Sequence, residues 1–297
     1  MNRGNYHVLA KSISDPVIIS YNPNRYFPSG NIDERIKKTV TEKKRETEEK
    51  GGTFYNDPMV GCFLDKIGTD ENGNLTLETQ RINYFDHVYY RKDPKSIIQA
   101  LYISFLPITK DNDIFFGSRN PKATEPTFGG KTTIVGGGVD IPDLDVTLRK
   151  EVFEELGLIP YLYKDNTIPV CLIGASKTKD GFNALNMVYV SQINLGSEEM
   201  DERFREYKKV LEEQKKRPEF DELYFLPNNF KLVGELVEEV NKNNCEFSGK
   251  YFGLPKKDFI LSGVVADILN EFLLYRCDIE IIKKEREKGT QIYPYQF

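Results

Sequence analysis

Three glutamates carry the chemistry for which this sequence can be read. Glu151, Glu154 and Glu155 fall at i, i+3 and i+4 within Lys150-Glu151-Val152-Phe153-Glu154-Glu155-Leu156-Gly157-Leu158. A helix through this stretch puts all three carboxylates on one face. Like charges on adjacent turns repel, so a solvated helix gains nothing from the arrangement. A hard divalent cation reverses the sign, because Mg²⁺ takes oxygen ligands and neutralises the cluster. The glycine run Gly136-Gly137-Gly138 comes just before. Glycine there lets the backbone approach a metal or a phosphate, through torsions closed to other residues. Gly157 stands where a left-handed helix cap is expected. The bland alternative is an acidic face turned to solvent.

The elements that must position these groups are legible from periodicity. A helix is expected over about residues 145–156, with Val146, Leu148, Val152, Phe153 and Leu156 packing under a sheet. A short strand over residues 132–135 delivers the glycines. The apolar run 97–108 has the length of a buried central strand, and residues 109–113 turn it into a second strand, 114–119. That strand ends in Arg119, which is either a phosphate fork or an ordinary surface Arg. Residues 121–131 form a loop. Two further strands are expected over 169–175 and 184–193, joined by a hairpin loop at 177–182. A charged helix follows at 197–215, a strand at 219–227 and a helix at 230–241. Residues 243–255 read as a linker, and residues 258–275 as one helix with a wide apolar stripe.

Upstream, residues 16–20 read as a strand and 33–50 as a surface helix. Strands at 59–67 and 75–84 flank the turn 70–74. Residues 1–95 form a small α/β extension ahead of a main unit, residues 96–297. The stretch 84–90 is dense in aromatic rings. It serves either to pack the two regions together or as a stacking wall for a base or ribose.

Composition narrows the function classes. The chain has 297 residues, of which 39% are apolar, with 17 Tyr and 19 Phe, enough for a substantial core. A net charge of −5 and the lack of a basic block argue against DNA binding. Cys62, Cys171, Cys245 and Cys277 are far apart and form no C-x-x-C pair, which argues against zinc and for a reducing, cytoplasmic setting. No apolar run suggests a membrane span. His7 and His87, the two histidines, leave little room for His-dependent triads. Formation of a homodimer is open.

The acidic stretch resembles the signature of the Nudix hydrolases: a glycine, five residues, Glu, seven residues, then Arg-Glu-apolar-x-Glu-Glu-x-Gly-apolar. The match runs through Gly136, Glu151, Val152, Glu154, Glu155, Gly157 and Leu158. Two positions depart. Pro142 stands where the family has its first Glu, and Lys150 where it has Arg. The resemblance implies an α/β/α sandwich with a mixed sheet. It implies Mg²⁺-dependent (or Mn²⁺-dependent) hydrolysis of a nucleoside diphosphate linked to another group. Glu151, Glu154 and Glu155 would then be metal ligands and catalytic groups, with Glu151 taken as the base. Gly136, Gly137 and Arg119 would contact substrate. The order of segments is also similar to the UDP-glucose pyrophosphatase-like branch, in the helix from residue 33, residues 53–58, 82–86 and 171–176, and the late apolar helix. That branch implies a UDP-sugar cut to UMP and a sugar 1-phosphate. ADP-ribose, a dinucleoside polyphosphate, or binding without cleavage are the competing readings.

Overall fold

The computed structural model describes residues 6–24, 30–49, 56–90, 96–120, 132–175, 184–242, 246–248, 258–260 and 263–293. Its elements are, in order, β1 (Tyr6–Lys11), β2 (Ile18–Asn22), α1 (Gly30–Glu49), β3 (Pro58–Thr69), β4 (Leu75–Asn83), α2 (Tyr84–Tyr90), β5 (Ile98–Ile108), β6 (Asp113–Arg119) and β7 (Thr132–Thr133). They continue with α3 (Leu144–Leu156), β8 (Thr167–Ala175), β9 (Leu185–Gln192), α4 (Ser197–Glu213), β10 (Phe220–Pro227) and α5 (Phe230–Lys242). β11 (Glu246–Ser248), β12 (Asp258–Ile260), α6 (Gly263–Leu274), α7 (Ile279–Arg286) and β13 (Gln291–Ile292) complete the series.

β5 is the strand on which the others are laid. Its residues are buried throughout except for half-buried Tyr102, as expected of a strand covered on both faces. From Leu101 to Ile108 it pairs in parallel with β9, while Ile98 and Ala100 pair antiparallel with β3. Its end turns through Asn112, at φ 65, into β6, whose other edge carries β10. Asn suits that left-handed position because its short polar side chain tolerates it. The sheet runs β13-β1-β8-β9-β5-β3-β4-β2, with β6, β7 and β10 branching from β5.

Side-chain alternation along β5 divides the interior in two. Leu101, Ile103 and Phe105 face a cluster that contains Leu144, Leu148, Val152 and Leu156 of α3. Leu106 and Ile108 face a second cluster built from α5 and α6. Helices therefore cover both faces of a mixed sheet, which is the α/β/α arrangement expected for this sequence. The strands within residues 1–95 belong to the same sheet, because β1 pairs with β8 and β3 with β5.

The structure differs from, or adds to, the local reading in several places. The late helix begins at Gly263, and Asp258–Ile260 is a strand that pairs with β11, inside the expected linker. A short apolar run such as Phe259-Ile260 does not discriminate strand from helix by period. β1 was not expected, since its six residues gain their partners, β8 and β13, from distant parts of the chain. Val146 and Phe153, expected under the sheet, are exposed. They lie off the 144/148/152 stripe, and Phe153 packs on Tyr207 with ring centroids 6.1 Å apart. Finally, 84–90 is a helix, in which His87 and Tyr90 are buried. The loops expected at 121–131 and 177–182, most of the 243–255 linker, and Cys245 lie outside the described residues.

The β6–β10 pairing is close enough to exclude a side chain at Gly117, where a Cβ would sit 2.4 Å from the buried Phe220 ring. Gly117→Ala should lower stability by about 1–3 kcal/mol by overpacking. Urea unfolding of the variant checks this, and an unchanged midpoint would show that the strands separate freely.

Candidate active site

The acidic helix is fixed at both ends by its own sequence. Asp143 caps α3 by accepting the Val146 N–H at 3.0 Å, and Gly157 ends it at φ 68. Any side chain at Gly157 would meet Tyr207, whose ring lies 2.5 Å from the would-be Cβ. The apolar stripe of α3 faces the core, and this sets the rotation of the glutamates. Glu155 is buried, Glu151 half-buried and Glu154 exposed.

The glycine run lies along β5 as an irregular antiparallel segment. Phe105 N–H donates to Val135 O at 2.8 Å, Ile103 N–H to Gly137 O at 3.0 Å, and Val139 N–H to Leu101 O at 2.9 Å. Val135 and Val139 point into the α3 side of the core; position 137 points the same way by alternation. The space a side chain would take there holds the Glu151 carboxylate, since a Cβ on Gly137 would lie 2.3 Å from Glu151 Oε2. Gly136 combines φ 157 with a would-be Cβ 2.3 Å from Ile103 O. Its N–H donates to Glu155 Oε2 at 2.9 Å.

Arg119 reaches the same place from the end of β6. Its Nη2 stands 3.4 Å from Glu155 Oε1, and its Nη1 pairs with Glu219, just ahead of β10. The guanidinium lies 5.8 Å from the centroid of the Phe220 ring. Five of the six residues singled out in sequence thus converge: Glu151, Glu155, Arg119, Gly136 and Gly137. Glu154 sits at the rim, where the Tyr207 hydroxyl donates to its backbone carbonyl at 2.9 Å.

Glu219 was missed. It sits among Glu222, Asp221 and other polar residues with no local mark. Only the pairing of β10 with β6, Phe220 opposite Arg119, brings it in.

The electrostatics are those of crowded anions with one guanidinium between them. Burial pushes the Glu151 carboxyl up to about 7; Lys150 pulls it down, while Glu154, Glu219 and Asp140 push it further up. Burial, then Glu219, holds Glu155 well above the usual carboxylate range against the opposing pull of Arg119. For Glu151 the displacement corresponds to about 3 kcal/mol in favour of the protonated form. Lys150 is held above its ordinary value. Burial acts the other way, but the hydrogen bond and charge of Asp140, 2.7 Å away, outweigh it. This Asp140–Lys150 pair ties the loop before α3 to the helix.

Among the described residues, no three His, Cys, Asp or Glu side chains stand as a formed metal cage. The donor set nevertheless fits a hard divalent ion. Glu151, Glu155 and Glu219 offer only carboxylate oxygens, and their mutual repulsion is what such an ion would relieve.

No family model matches the sequence, and no curated protein matches it. Solved structures do resemble it. A protein from Deinococcus radiodurans is 12% identical, with 71% of this chain and 97% of that chain covered at a TM-score of 0.38. A MutT/Nudix family protein from Enterococcus faecalis is 10% identical over 69% and 92%, with a TM-score of 0.31. A Nudix family hydrolase from Clostridium perfringens is 14% identical over 59% and 95%, with a TM-score of 0.28.

A pH dependence follows from the raised Glu151 carboxyl. Its folded value near 7 exceeds the ordinary 4.5. The stability it contributes is complete below about 4.5 and is lost as pH rises through 7. A divalent cation binds the ionised form, so Mn²⁺ or Mg²⁺ should raise the melting temperature more at pH 8 than at pH 5.5. Glu151→Gln should shrink that difference. Thermal scans with metal and with EDTA test this, and equal metal shifts at the two pH values would contradict it.

Proposed function

We propose that this chain is a Nudix-type pyrophosphohydrolase that cleaves a nucleoside diphosphate linked to another group. The observation that carries the reading is the packing of Glu151 and Glu155 against Gly136 and Gly137, with Arg119 and Glu219 closing the cluster. Attack on a pyrophosphate places more negative charge on a group that already bears it, so the barrier is largely electrostatic. Glu151, Glu154, Glu155 and Glu219 would hold Mg²⁺ or Mn²⁺. When bound, such an ion offsets the charge on the phosphate oxygens.

The protein's own residues divide the remaining work. Glu151, half-buried against Gly137 on the acidic face of α3, is the group placed to take a proton from the attacking water. Arg119 holds Glu155 and Glu219 in place, and its five N–H donors leave some for a phosphate oxygen. Gly136 and Gly137 make room for the β5 backbone and the Glu151 carboxylate, which holds the acids against the loop where the phosphates would lie. Asp140 and Lys150 keep the loop in register with α3. We assign this work to the unit spanning residues 96–297, with 1–95 as an extension sharing its sheet. A UDP-sugar, cut to UMP and sugar 1-phosphate, is the first substrate to test. ADP-ribose and dinucleoside polyphosphates present the same bond.

Nucleotide release from UDP-glucose, UDP-galactose, ADP-ribose, NADH and diadenosine polyphosphates, with Mg²⁺ and with EDTA, tests this directly. Metal-dependent release from at least one is expected; silence across the panel by folded protein would refute hydrolysis. Glu154→Gln should cut turnover by on the order of 10² or more while the fold survives. Lys150→Ala should instead act on stability, by about 1 kcal/mol or less for so exposed a pair, and spare turnover. Loss of turnover alone in Lys150→Ala would reverse that assignment.

A further inference from the structure

Position 102 is the one place on β5 that is not fully buried, and it holds an aromatic ring. Tyr102 points away from α3, to the face opposite that of Leu101 and Ile103. His87, buried on α2, lies 5.7 Å from it at 60° between ring planes, and Tyr84 follows at 6.4 Å from His87. The ring is therefore supported from α2, while part of its surface remains accessible.

One side of Tyr102 packs against the apolar cluster of Met59, Ile82, Tyr90, Ile98 and Ala100, and two further neighbours flank it. Asn186 on β9 is paired with Tyr102 in the parallel register and shares its face. Ser104 Oγ donates to Asn186 Oδ1 at 3.2 Å, and both residues are buried. That bond occupies the amide oxygen and leaves the two amide N–H groups as the side chain's donors. The second neighbour is Gly138, which bridges to Tyr102. A Cβ there would lie 3.7 Å from Tyr102 Cε1 and 2.7 Å from Met59 Cε. Glycine at 138 keeps a side chain off the ring.

The niche adjoins the carboxylates. The chain path from Glu151 Oε2 through Gly137 and Gly138 to the Tyr102 ring bounds their separation at about 13 Å, with consecutive Cα atoms about 3.8 Å apart. Val139 is bonded to β3 through Val60 N–H, and Thr132 and Thr133 pair with β6. Between these anchored ends, Gly136, Gly137 and Gly138 form a stretch of edge without side chains. A phosphate chain crossing from one face of the sheet to the other would meet only backbone there.

We propose that Tyr102, supported by His87 and flanked by Asn186, is a nucleobase subsite. The base stacks on the Tyr102 ring and accepts a hydrogen bond from the Asn186 amide, while the phosphates cross the glycine edge toward Glu151. This rests on the hydrolase reading for its account of the phosphates, but the stacking itself does not require turnover. The aromatic stretch 84–90 then acts one step back, supporting the stacking ring rather than providing it.

Binding of UMP, CMP, GMP and AMP in EDTA, followed by calorimetry or saturation-transfer NMR, tests the subsite apart from catalysis. At least one should bind the wild-type protein. Tyr102→Ala should weaken it roughly 5- to 100-fold, and Tyr102→Phe should stay within about threefold of wild type. Tyr102→Leu keeps apolar bulk without an aromatic face and should behave like Tyr102→Ala, which separates stacking from folding. Binding of inorganic pyrophosphate with Mg²⁺ should be the same in all four proteins. With a substrate that turns over, Tyr102→Ala should raise KM and leave kcat nearly constant. Tyr102-dependent nucleotide binding without any turnover would support the subsite and count against hydrolysis. Turnover with an unchanged KM in Tyr102→Ala would overturn the subsite and leave hydrolysis standing. Wild-type protein that binds none of the four nucleotides would also overturn it.

Discussion

The repulsion among Glu151, Glu155 and Glu219, shared with one guanidinium, is the constraint on which the arrangement depends. Removing carboxylates from water is unfavourable unless each finds a partner or stays protonated. Arg119 partners two of them, and the Gly136 N–H partners one. What remains is expressed as carboxyls held well above their ordinary range. A stability-optimised core would have apolar groups in this position. The chain instead keeps acids there, and every element nearby is arranged to hold them.

Each of those elements contributes through a local physical feature. β5 is apolar over its whole length and so becomes the centre of the sheet. Its outer edge takes the glycine run as a partial strand, which brings Gly137 to the Glu151 carboxylate. The hairpin through Asn112 aligns β6, and β10 pairs with it so that Arg119 meets Glu219. Asp143 and Gly157 define the length of α3, and its apolar stripe defines its rotation. The Asp140–Lys150 pair is exposed and worth little as energy; it joins the loop to the helix.

Much of this was legible in the sequence because it depends on short-range pattern. The acidic spacing, the glycines and the Gly157 cap are local, and so were the helix of α3 and the buried strand of β5. The parts that escaped are set by tertiary pairing. Glu219 resembles any acid in a polar run until β10 finds β6. Tyr102 stood within an apolar strand with nothing to mark it as partly accessible. β1 and β13 are strands through each other and through β8. The start of α6 was placed too early because Phe259 and Ile260 suit either period. The orientation of Phe153 was misjudged by counting it into the buried stripe, when the burial of Glu155 shows that the stripe is rotated toward the acids.

Protein charges alone leave the acidic cluster unbalanced, so the proposed function requires it to bind a cation. Titration of Mn²⁺ followed by electron paramagnetic resonance, which counts free ion directly, is its most direct test. Saturable binding to the wild-type protein is expected, and at least about tenfold weaker binding to Glu155→Gln, which lacks one charged ligand. Thermal unfolding at matched pH would establish that the variant is folded. Equal Mn²⁺ affinity in the two folded proteins would rule out a cation site there and return the acidic helix to the role of a buried, structurally paired face.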